Sequence, residues 1–203
     1  MIGIIIQARM NSTRLPGKSV KILAGKALIN HCIDKCKKTG LPVILAVPSS
    51  DTIFEKIVDV PIFYGPENDV MKRYILCANK YSFSTIIRIT GDNPLTNPEI
   101  ILGVLQQHQK EENEYTSTRY LENGNIKSTT CKGLSVDIFE YSLLERSYEN
   151  ASNNDKEHIV THFLKHPCKK GIYTNHQKIN ANYSVDTQED FERVEKILNN
   201  QLF

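Results

Sequence analysis

Residues 2–18 read IGIIIQARMNSTRLPGK, an apolar run followed at once by a polar, cationic loop. The run from Ile2 to Ile6 is rich in β-branched residues, which is typical of a strand covered on both faces. Such a strand belongs in a sheet with helices on each side. The loop after it would lie at the carboxyl end of the strand, where open α/β sheets bind their ligands.

The rest of the chain alternates between strand and helix patterns. Apolar runs predict strands at 43–47, 62–64 and 86–90, separated by amphipathic helical segments, with a further helix at 100–109. This alternation is typical of an open α/β sheet with helices on both faces.

The second half of the chain is less regular. It is predicted to contain strands at 115–118, 136–139 and 179–185, helices at 142–148 and 155–165, and a terminal helix that begins with a capping box formed by Thr187 and Asp190. No repeat or linker stands out. We therefore predict a single domain over 1–203, with an irregular insert at about 119–170.

Composition narrows the class of protein. The 203 residues include 25 Lys and Arg against 23 Asp and Glu, and this net charge of +2 is too small to predict a nucleic-acid partner. Five cysteines without a Cys-x-x-Cys pair argue against a disulfide framework or a zinc ribbon. The first apolar run is too short for a signal peptide or a membrane span. We expect a cytoplasmic protein with no membrane segment.

The loop after the first predicted strand carries three cations, Arg9, Arg14 and Lys18. Backbone N–H groups together with Arg and Lys side chains suit a polyphosphate. The loop is not a Walker A motif, because Ser12 stands where that motif requires its first glycine. A solvated basic loop without a ligand remains the alternative.

Two aspartates follow predicted strands, Asp92 after 86–90 and Asp186 after 179–185. At the same edge of the sheet they could share one Mg²⁺, which prefers oxygen ligands and binds substrate phosphates. The alternative is that Asp92 begins a turn before Pro94 and that Asp186 caps the terminal helix. The nearby cationic loop favours the metal-site interpretation, because triphosphate chemistry uses both cationic side chains and a metal ion held by carboxylates.

Other polar residues allow two interpretations each. Asp69 and Arg73, at i and i+4, form either a surface ion pair or part of a site rim. Arg88 is isolated on an apolar strand and needs a partner. Cys32 and Cys36 share a helix stripe, which predicts core packing.

Three histidines, His158, His162 and His166, would share one face of a continuous helix. Histidines at this spacing can bind zinc. No fourth ligand is evident and Pro167 marks the expected helix end, so a metal site is the less favoured interpretation.

Five motifs in order resemble the CMP-sugar synthetases, and in particular the spore-coat polysaccharide cytidylyltransferase family, which is related to the acylneuraminate and 3-deoxy-manno-octulosonate cytidylyltransferases. The motifs span nearly the whole chain. They are the residues 5–18, 65–74, 88–95, 157–158 and 185–191. One departure is Gly-Leu-Ser-Val-Asp at 133–137, where the family has Gly-Leu-Asp-Val-Glu, and it leaves the acceptor open.

The resemblance implies a three-layer Rossmann-like nucleotidyltransferase fold with a mixed, mostly parallel sheet. It also implies Mg²⁺-dependent transfer of CMP from CTP to a hydroxyl or acid group of an acidic sugar or related small acceptor, release of pyrophosphate, and a homodimer. The implied nucleotide-binding residues are Gln7, Ala8, Arg9, Ser12, Arg14, Lys18, Arg88 and Asp92, of which Arg14, Lys18 and Asp92 are catalytic. The implied acceptor-binding residues are Asp69, Arg73, Asn93, Glu157 and His158. Asp92 and Asp186 would bind the metal.

Two other functions remain open from the sequence. A glycosyltransferase of similar fold would use a finished nucleotide-sugar, but such enzymes usually carry an Asp-x-Asp motif, which this chain lacks. A non-catalytic nucleotide-binding protein is the second alternative. The presence of Arg14, Lys18, Asp92 and Asp186 together argues against it.

Overall fold

The protein's structure, a computed structural model, describes residues 1–174 and 181–200. Its centre is a seven-stranded sheet in the order β11-β7-β10-β6-β1-β4-β5. The sheet is mostly parallel, and only β10 runs antiparallel to both of its neighbours. The predicted mixed, mostly parallel α/β fold is confirmed.

The strands of this sheet are β1 Ile2–Gln7, β4 Val43–Pro48, β5 Ile62–Gly65, β6 Thr85–Thr90, β7 Tyr115–Ser117, β10 Asp137–Glu140 and β11 Lys170–Ile172. Two small hairpins lie outside it, β2 Ile22–Leu23 with β3 Lys26–Ala27, and β8 Arg119–Glu122 with β9 Asn125–Ser128. The helices are α1 Leu28–Lys37, α2 Val70–Lys80, α3 Pro98–Lys110, α4 Tyr141–Tyr148, α5 Asn153–Glu157, α6 Ile159–Lys165 and α7 Gln188–Asn200. Short 3₁₀ helices cover Lys18–Val20 and Thr52–Lys56.

The sheet is covered on both faces, as the apolar first strand predicts. Ile4 and Ile6 pack in one core cluster with α1 and α3, whereas Ile5 packs in a second cluster with α2, α4 and α6. Cys32 and Cys36 are fully buried in the first cluster, so their predicted core role is confirmed. A three-layer arrangement follows from these two clusters.

The position of the ligand crevice follows from the order of the strands. From β1 the chain passes through α1 to β4 on one side, and from β5 it passes through α2 to β6 on the other side of β1. The strand order therefore reverses between β1 and β6. In open α/β sheets this reversal opens a crevice at the carboxyl ends of the two strands.

Two predicted elements are wrong in detail. The helix predicted over 155–165 is broken at His158, whose backbone (φ −113°, ψ 61°) is not helical, and this break separates α5 from α6. The strand predicted over 179–185 falls partly outside the described residues. Over 181–185 it forms only an isolated bridge between Lys132 and Asn182.

The terminal helix begins as predicted. The backbone N–H of Asp190 donates to Thr187 Oγ1 (3.2 Å), and the backbone N–H of Thr187 donates to Asp190 Oδ2 (3.1 Å), which completes the capping box. Asp51 stands at the N-cap of the 3₁₀ helix Thr52–Lys56 but makes no side-chain hydrogen bond to it, and its carboxylate accepts from the backbone N–H of Met10. Among the described residues, no helix is both long and apolar enough to cross a membrane.

Candidate active site

A cavity of about 360 Å³ opens at the carboxyl ends of β1 and β6, where the strand order reverses. Twelve of the fourteen residues predicted for the site line it, together with Arg119, which was not predicted. The twelve are Gln7, Ala8, Arg9, Ser12, Arg14, Lys18, Arg73, Arg88, Asp92, Glu157, His158 and Asp186.

The charge of the lining is strongly asymmetric. Among the described residues, six Arg or Lys side chains line the cavity against three carboxylates. In addition, Nε of Arg73, Arg88 and Arg119 is buried and lacks a hydrogen-bond partner within the described part of the chain. Walls that carry more cations than carboxylates suit a ligand of several negative charges.

Lys18 joins the two predicted metal-binding carboxylates. Gly17 adopts the left-handed conformation (φ 65°) just before the 3₁₀ helix that begins at Lys18. The turn directs Lys18 inward, where its Nζ donates to Asp92 Oδ2 (3.0 Å) and Asp186 Oδ1 (3.2 Å) and to the carbonyl of Val185 (2.7 Å). Two carboxylates far apart in sequence therefore accept from the same atom, Lys18 Nζ.

Asp186 is the most heavily paired carboxylate at the cavity. Arg14 contacts its Oδ1 (3.1 Å) and Lys132 donates to its Oδ2 (2.9 Å), in addition to Lys18. Burial raises the Asp186 pKa, but the hydrogen bond from Lys132 and the charge of Lys18 outweigh burial, and the pKa lies below its ordinary value. Asp186 is therefore an anion at neutral pH.

The donor set fits a Mg²⁺ ion. Asp92 and Asp186 already converge on a shared cation, the Lys18 ammonium, so one site can be reached by oxygens from both. Carboxylate oxygens are the ligands that Mg²⁺ prefers, and it keeps other positions for water and substrate phosphates. Asp186 is not the cap of α7, because Thr187 holds that position.

Arg88 has the partner that its isolation on β6 requires. The register of β6 and β10 places Arg88 opposite Asp137, and Arg88 donates to Asp137 Oδ2 (3.1 Å). Arg119 donates to the same oxygen, while the hydroxyls of Tyr115 (2.9 Å) and Ser117 (2.7 Å) donate to Oδ1. Burial raises the pKa of the Asp137 carboxyl, but the charges of Arg119 and Arg88 hold it below its ordinary value.

Sequence reasoning missed Arg119, Lys132 and Asp137. Asp137 carried the same signal as Arg88, a lone charge on an apolar strand, and pairing the two would have found it. Arg119 and Lys132 gave no comparable signal, because both reach the site from outside the central sheet.

The predicted acceptor residues are only partly brought together. Glu157 and His158 line the cavity at the end of α5, and Glu157 Oε1 lies 3.6 Å from Arg9 Nη1 with both side chains about half exposed. Arg73 is almost fully buried and donates to the carbonyl of Pro66 (2.6 Å).

Asp69 and Asn93 do not line the cavity. Asp69 caps α2 by accepting from the backbone of Lys72 (2.8 Å), and it also accepts from the Tyr148 hydroxyl (2.7 Å), so the alternative of an ion pair with Arg73 is wrong. Asn93 is buried and donates to Thr90 Oγ1 (2.7 Å). A role for either in acceptor binding stays a prediction.

Gln7 and Ala8 form the floor of the cavity beside the loop. The carbonyl of Gln7 accepts from Gly91 (2.8 Å) and the Ala8 N–H donates to Ala46 (3.3 Å), so these backbone groups continue the sheet. A Cβ on Gly91 would lie 3.0 Å from the Cβ of Ala8 and 3.2 Å from the carbonyl oxygen of Gln7, both tight contacts with atoms on or next to the backbone, and this favours a glycine before Asp92.

Comparison with known proteins decides the family. The family model described as cytidylyltransferase matches residues 3–203. The chain belongs to the cytidylyltransferase family. This cytidylyltransferase is thus a CTP-dependent nucleotidyltransferase, and the resemblance seen in its motifs is confirmed.

Relatives agree with this assignment. The chain is 27% identical to the spore coat polysaccharide biosynthesis protein SpsF of Bacillus subtilis (strain 168), over 95% of this chain and 84% of that protein. It is 30% identical to 3-deoxy-manno-octulosonate cytidylyltransferase of Anaeromyxobacter sp. (strain K), over 63% of this chain and 55% of that protein. A solved cytidylyltransferase structure from Leptospira borgpetersenii serovar Hardjo-bovis superimposes with a TM-score of 0.88 at 26% identity, covering 98% of this chain and 87% of the other.

Proposed function

We propose that this cytidylyltransferase uses Mg²⁺ and CTP to form the CMP conjugate of an acidic sugar, with release of pyrophosphate. The observation that carries the proposal is the meeting of Asp92 and Asp186 at Lys18 in a cavity lined mainly by cations. The relatives named for spore coat polysaccharide biosynthesis and for 3-deoxy-manno-octulosonate support an acidic sugar as the acceptor class.

In this proposal Asp92 and Asp186 hold Mg²⁺, which would neutralise phosphate charge when it is bound. Lys18, Arg14 and Arg9 would donate to the triphosphate. An acceptor hydroxyl oxygen bonds to the α-phosphorus, the bond from that phosphorus to the bridging oxygen breaks, and pyrophosphate leaves. The hydroxyl proton passes to solvent. Positioning and charge neutralisation supply the rate enhancement.

Arg88 and Arg119 would bind the acid group of the acceptor. Asp137 fixes both guanidinium groups, which line the cavity, and its single negative charge leaves the pair of arginines with a net positive charge. Guanidinium groups bind carboxylates through parallel hydrogen bonds, so the acid group of the acceptor is the natural ligand. Glu157 and His158 would contact the hydroxyl side of the sugar.

The test is release of pyrophosphate from CTP and Mg²⁺ with a panel of acidic sugars that includes 3-deoxy-manno-octulosonate and a nonulosonic acid. We expect release that requires both acceptor and Mg²⁺, with a CMP conjugate detected by mass spectrometry. Consumption of a finished CMP-sugar in place of CTP would instead identify a glycosyltransferase. Inactivity with the whole panel, alongside CTP binding that no acidic sugar alters, would contradict the proposed acceptor class. The predicted homodimer is checked by light scattering.

A further inference from the structure

A second cluster of ligating side chains lies beside the cavity but outside its lining. It consists of Asp155 on α5, His162 on α6 and His166 just after α6. One carboxylate oxygen and one nitrogen from each imidazole all lie within 4.8 Å of one another. The cluster spans the break at His158, and in place of the expected row of three histidines it joins two histidines to a carboxylate from the preceding helix.

The geometry at His162 is unusual for a buried histidine. Its side chain is only 4% exposed, and its Nδ1 is buried without a hydrogen-bond partner among the described residues. The nearest carboxylate oxygen, Asp155 Oδ2, is 3.6 Å away, which is too far for a hydrogen bond. Two ligand atoms bound to one tetrahedral zinc are about 3.4 Å apart, because each lies about 2.0–2.1 Å from the ion.

Neighbouring contacts hold the side chains of the cluster. The imidazole of His166 stacks on that of His162 with ring centroids 4.1 Å apart. The hydroxyl of Ser152 donates to Asp155 Oδ2 (2.7 Å) and orients that carboxylate.

We propose that Asp155, His162 and His166 bind a divalent transition-metal ion of the zinc type, separate from the Mg²⁺ proposed at Asp92 and Asp186. Imidazole nitrogens suit Zn²⁺ and its neighbours, whereas Mg²⁺ prefers oxygen ligands. His166 is exposed, so water completes the coordination of the ion.

Such an ion would fasten α5 to α6 across the break at His158. Glu157 and His158 occupy that break and line the cavity, so the ion would hold them in place without contacting substrate. The proposal is thus a structural metal site that positions one wall of the active site. It stands on the geometry of the cluster and does not require the proposed acceptor to be correct.

The test uses the full chain without an affinity tag, titrated with Zn²⁺ in the presence of excess Mg²⁺ and followed by calorimetry. We expect one ion per chain. His166→Ala removes an exposed ligand without disturbing the core. Loss of a residue that only supports a ligand typically weakens metal binding 10- to 100-fold, and loss of the ligand itself should weaken it at least as much. Asp155→Asn should weaken it in the same direction. Lys165→Ala, an exposed neighbour on α6, is the matched control and should bind as the parent does.

Co²⁺ provides a second readout that does not depend on activity, because its visible absorption reports its ligands. The parent and Lys165→Ala should share one spectrum, and His166→Ala should lose it. The proposal is overturned if the parent binds no Zn²⁺ in excess Mg²⁺. It is equally overturned if His166→Ala binds Zn²⁺ as tightly as the parent, because the ion then lies elsewhere.

Discussion

The two walls of the cavity are built in different ways. The strand-end wall consists of residues 7–18 and Asp92, which follow the neighbouring strands β1 and β6, and of Asp186, which Lys18 joins to Asp92 through contacts of 3.0 and 3.2 Å. The insert wall, formed by Arg119 and residues 157–161, depends on the buried Asp137 and on the helix break at His158. Sheet topology positions residues 7–18 and Asp92, and Lys18 joins Asp186 to them, whereas the insert wall depends mainly on long-range pairing of charges. Mutations should therefore damage chemistry at the strand-end wall and stability at the insert wall.

The largest effect is expected at the base of the insert wall. Asp137→Asn leaves the partly buried Arg88 and Arg119 without a full countercharge, and breaking pairs to a fully buried carboxylate in this way costs about 3–5 kcal/mol in the free energy of unfolding. Denaturation in urea measures the loss. Asp59→Asn, which breaks an exposed pair with Lys37, is the control and should leave the denaturation midpoint unchanged. Near-parental stability of Asp137→Asn would show that the arginines are solvated.

The same carboxylate gives a pH dependence. The Asp137 pKa lies below the ordinary value of 3.8 in the folded protein, so its stabilising contribution is fully present above that value. The contribution is lost as the pH falls through the lower, folded pKa. The fall in stability below about pH 4 should therefore be shallower in Asp137→Asn than in the parent.

The second effect concerns turnover at the strand-end wall. Asp92→Asn removes one of the two carboxylates that would bind Mg²⁺ and should lower kcat by about 10²–10³-fold, the range for losing one preorganised electrostatic contact. Stability should change little, because the Asp92 side chain is partly exposed. Asp59→Asn again serves as the control. Turnover within a factor of two of the parent would remove Asp92 from the catalytic residues.

A smaller effect is expected on binding of the nucleotide. Lys18→Met loses a charge-assisted contact with the triphosphate, which should raise the Kd for CTP about 10- to 100-fold. Calorimetry with Mg²⁺ present measures it, and Lys37→Met, from an exposed pair, is the matched control. An unchanged Kd would place Lys18 outside the site and leave it as a purely structural link between the two aspartates.

The smallest effect is expected for Glu157→Gln, and it distinguishes acceptor binding at the insert wall from nucleotide binding at the strand-end wall. Glu157→Gln breaks only an exposed 3.6 Å pair with Arg9, so the free energy of unfolding should change by less than about 0.5 kcal/mol. We expect a several-fold higher KM for the acceptor and an unchanged Kd for CTP. Glu149→Gln, an exposed residue just after α4, is the control. A weaker Kd for CTP would mean that the insert wall also contacts the nucleotide.

The strand-end wall was largely predictable from the sequence, and the insert wall was not. The apolar run at Ile2–Ile6 predicted the covered strand, and strand ends predicted that Asp92 and Asp186 would lie close together. The bond from Lys18 to both carboxylates could not be read from spacing, because it depends on the turn at Gly17. Which of the cations bind phosphate is still a prediction.

The failures in the insert have identifiable causes. Periodicity of apolar residues predicted one helix over 155–165, but it does not register a single non-helical residue such as His158. Arg119 and Lys132 reach the site through tertiary contacts across long sequence separations. Asp69 and Asn93 were assigned to the acceptor by resemblance alone, and the structure places both outside the cavity lining.

The most direct test of the proposed Mg²⁺-dependent CTP site needs no acceptor. Thermal unfolding is recorded with Mg²⁺ and each of CTP, UTP, GTP and ATP, with and without a chelator, for the parent and for Asp92→Asn. A ligand at a hundred times its Kd stabilises the folded state by about 2.7 kcal/mol, which gives a readable shift. We predict a shift largely confined to CTP, abolished by the chelator and reduced in Asp92→Asn. Equal shifts with all four nucleotides, or a CTP shift that survives the chelator, would contradict a Mg²⁺-dependent CTP site at these two aspartates.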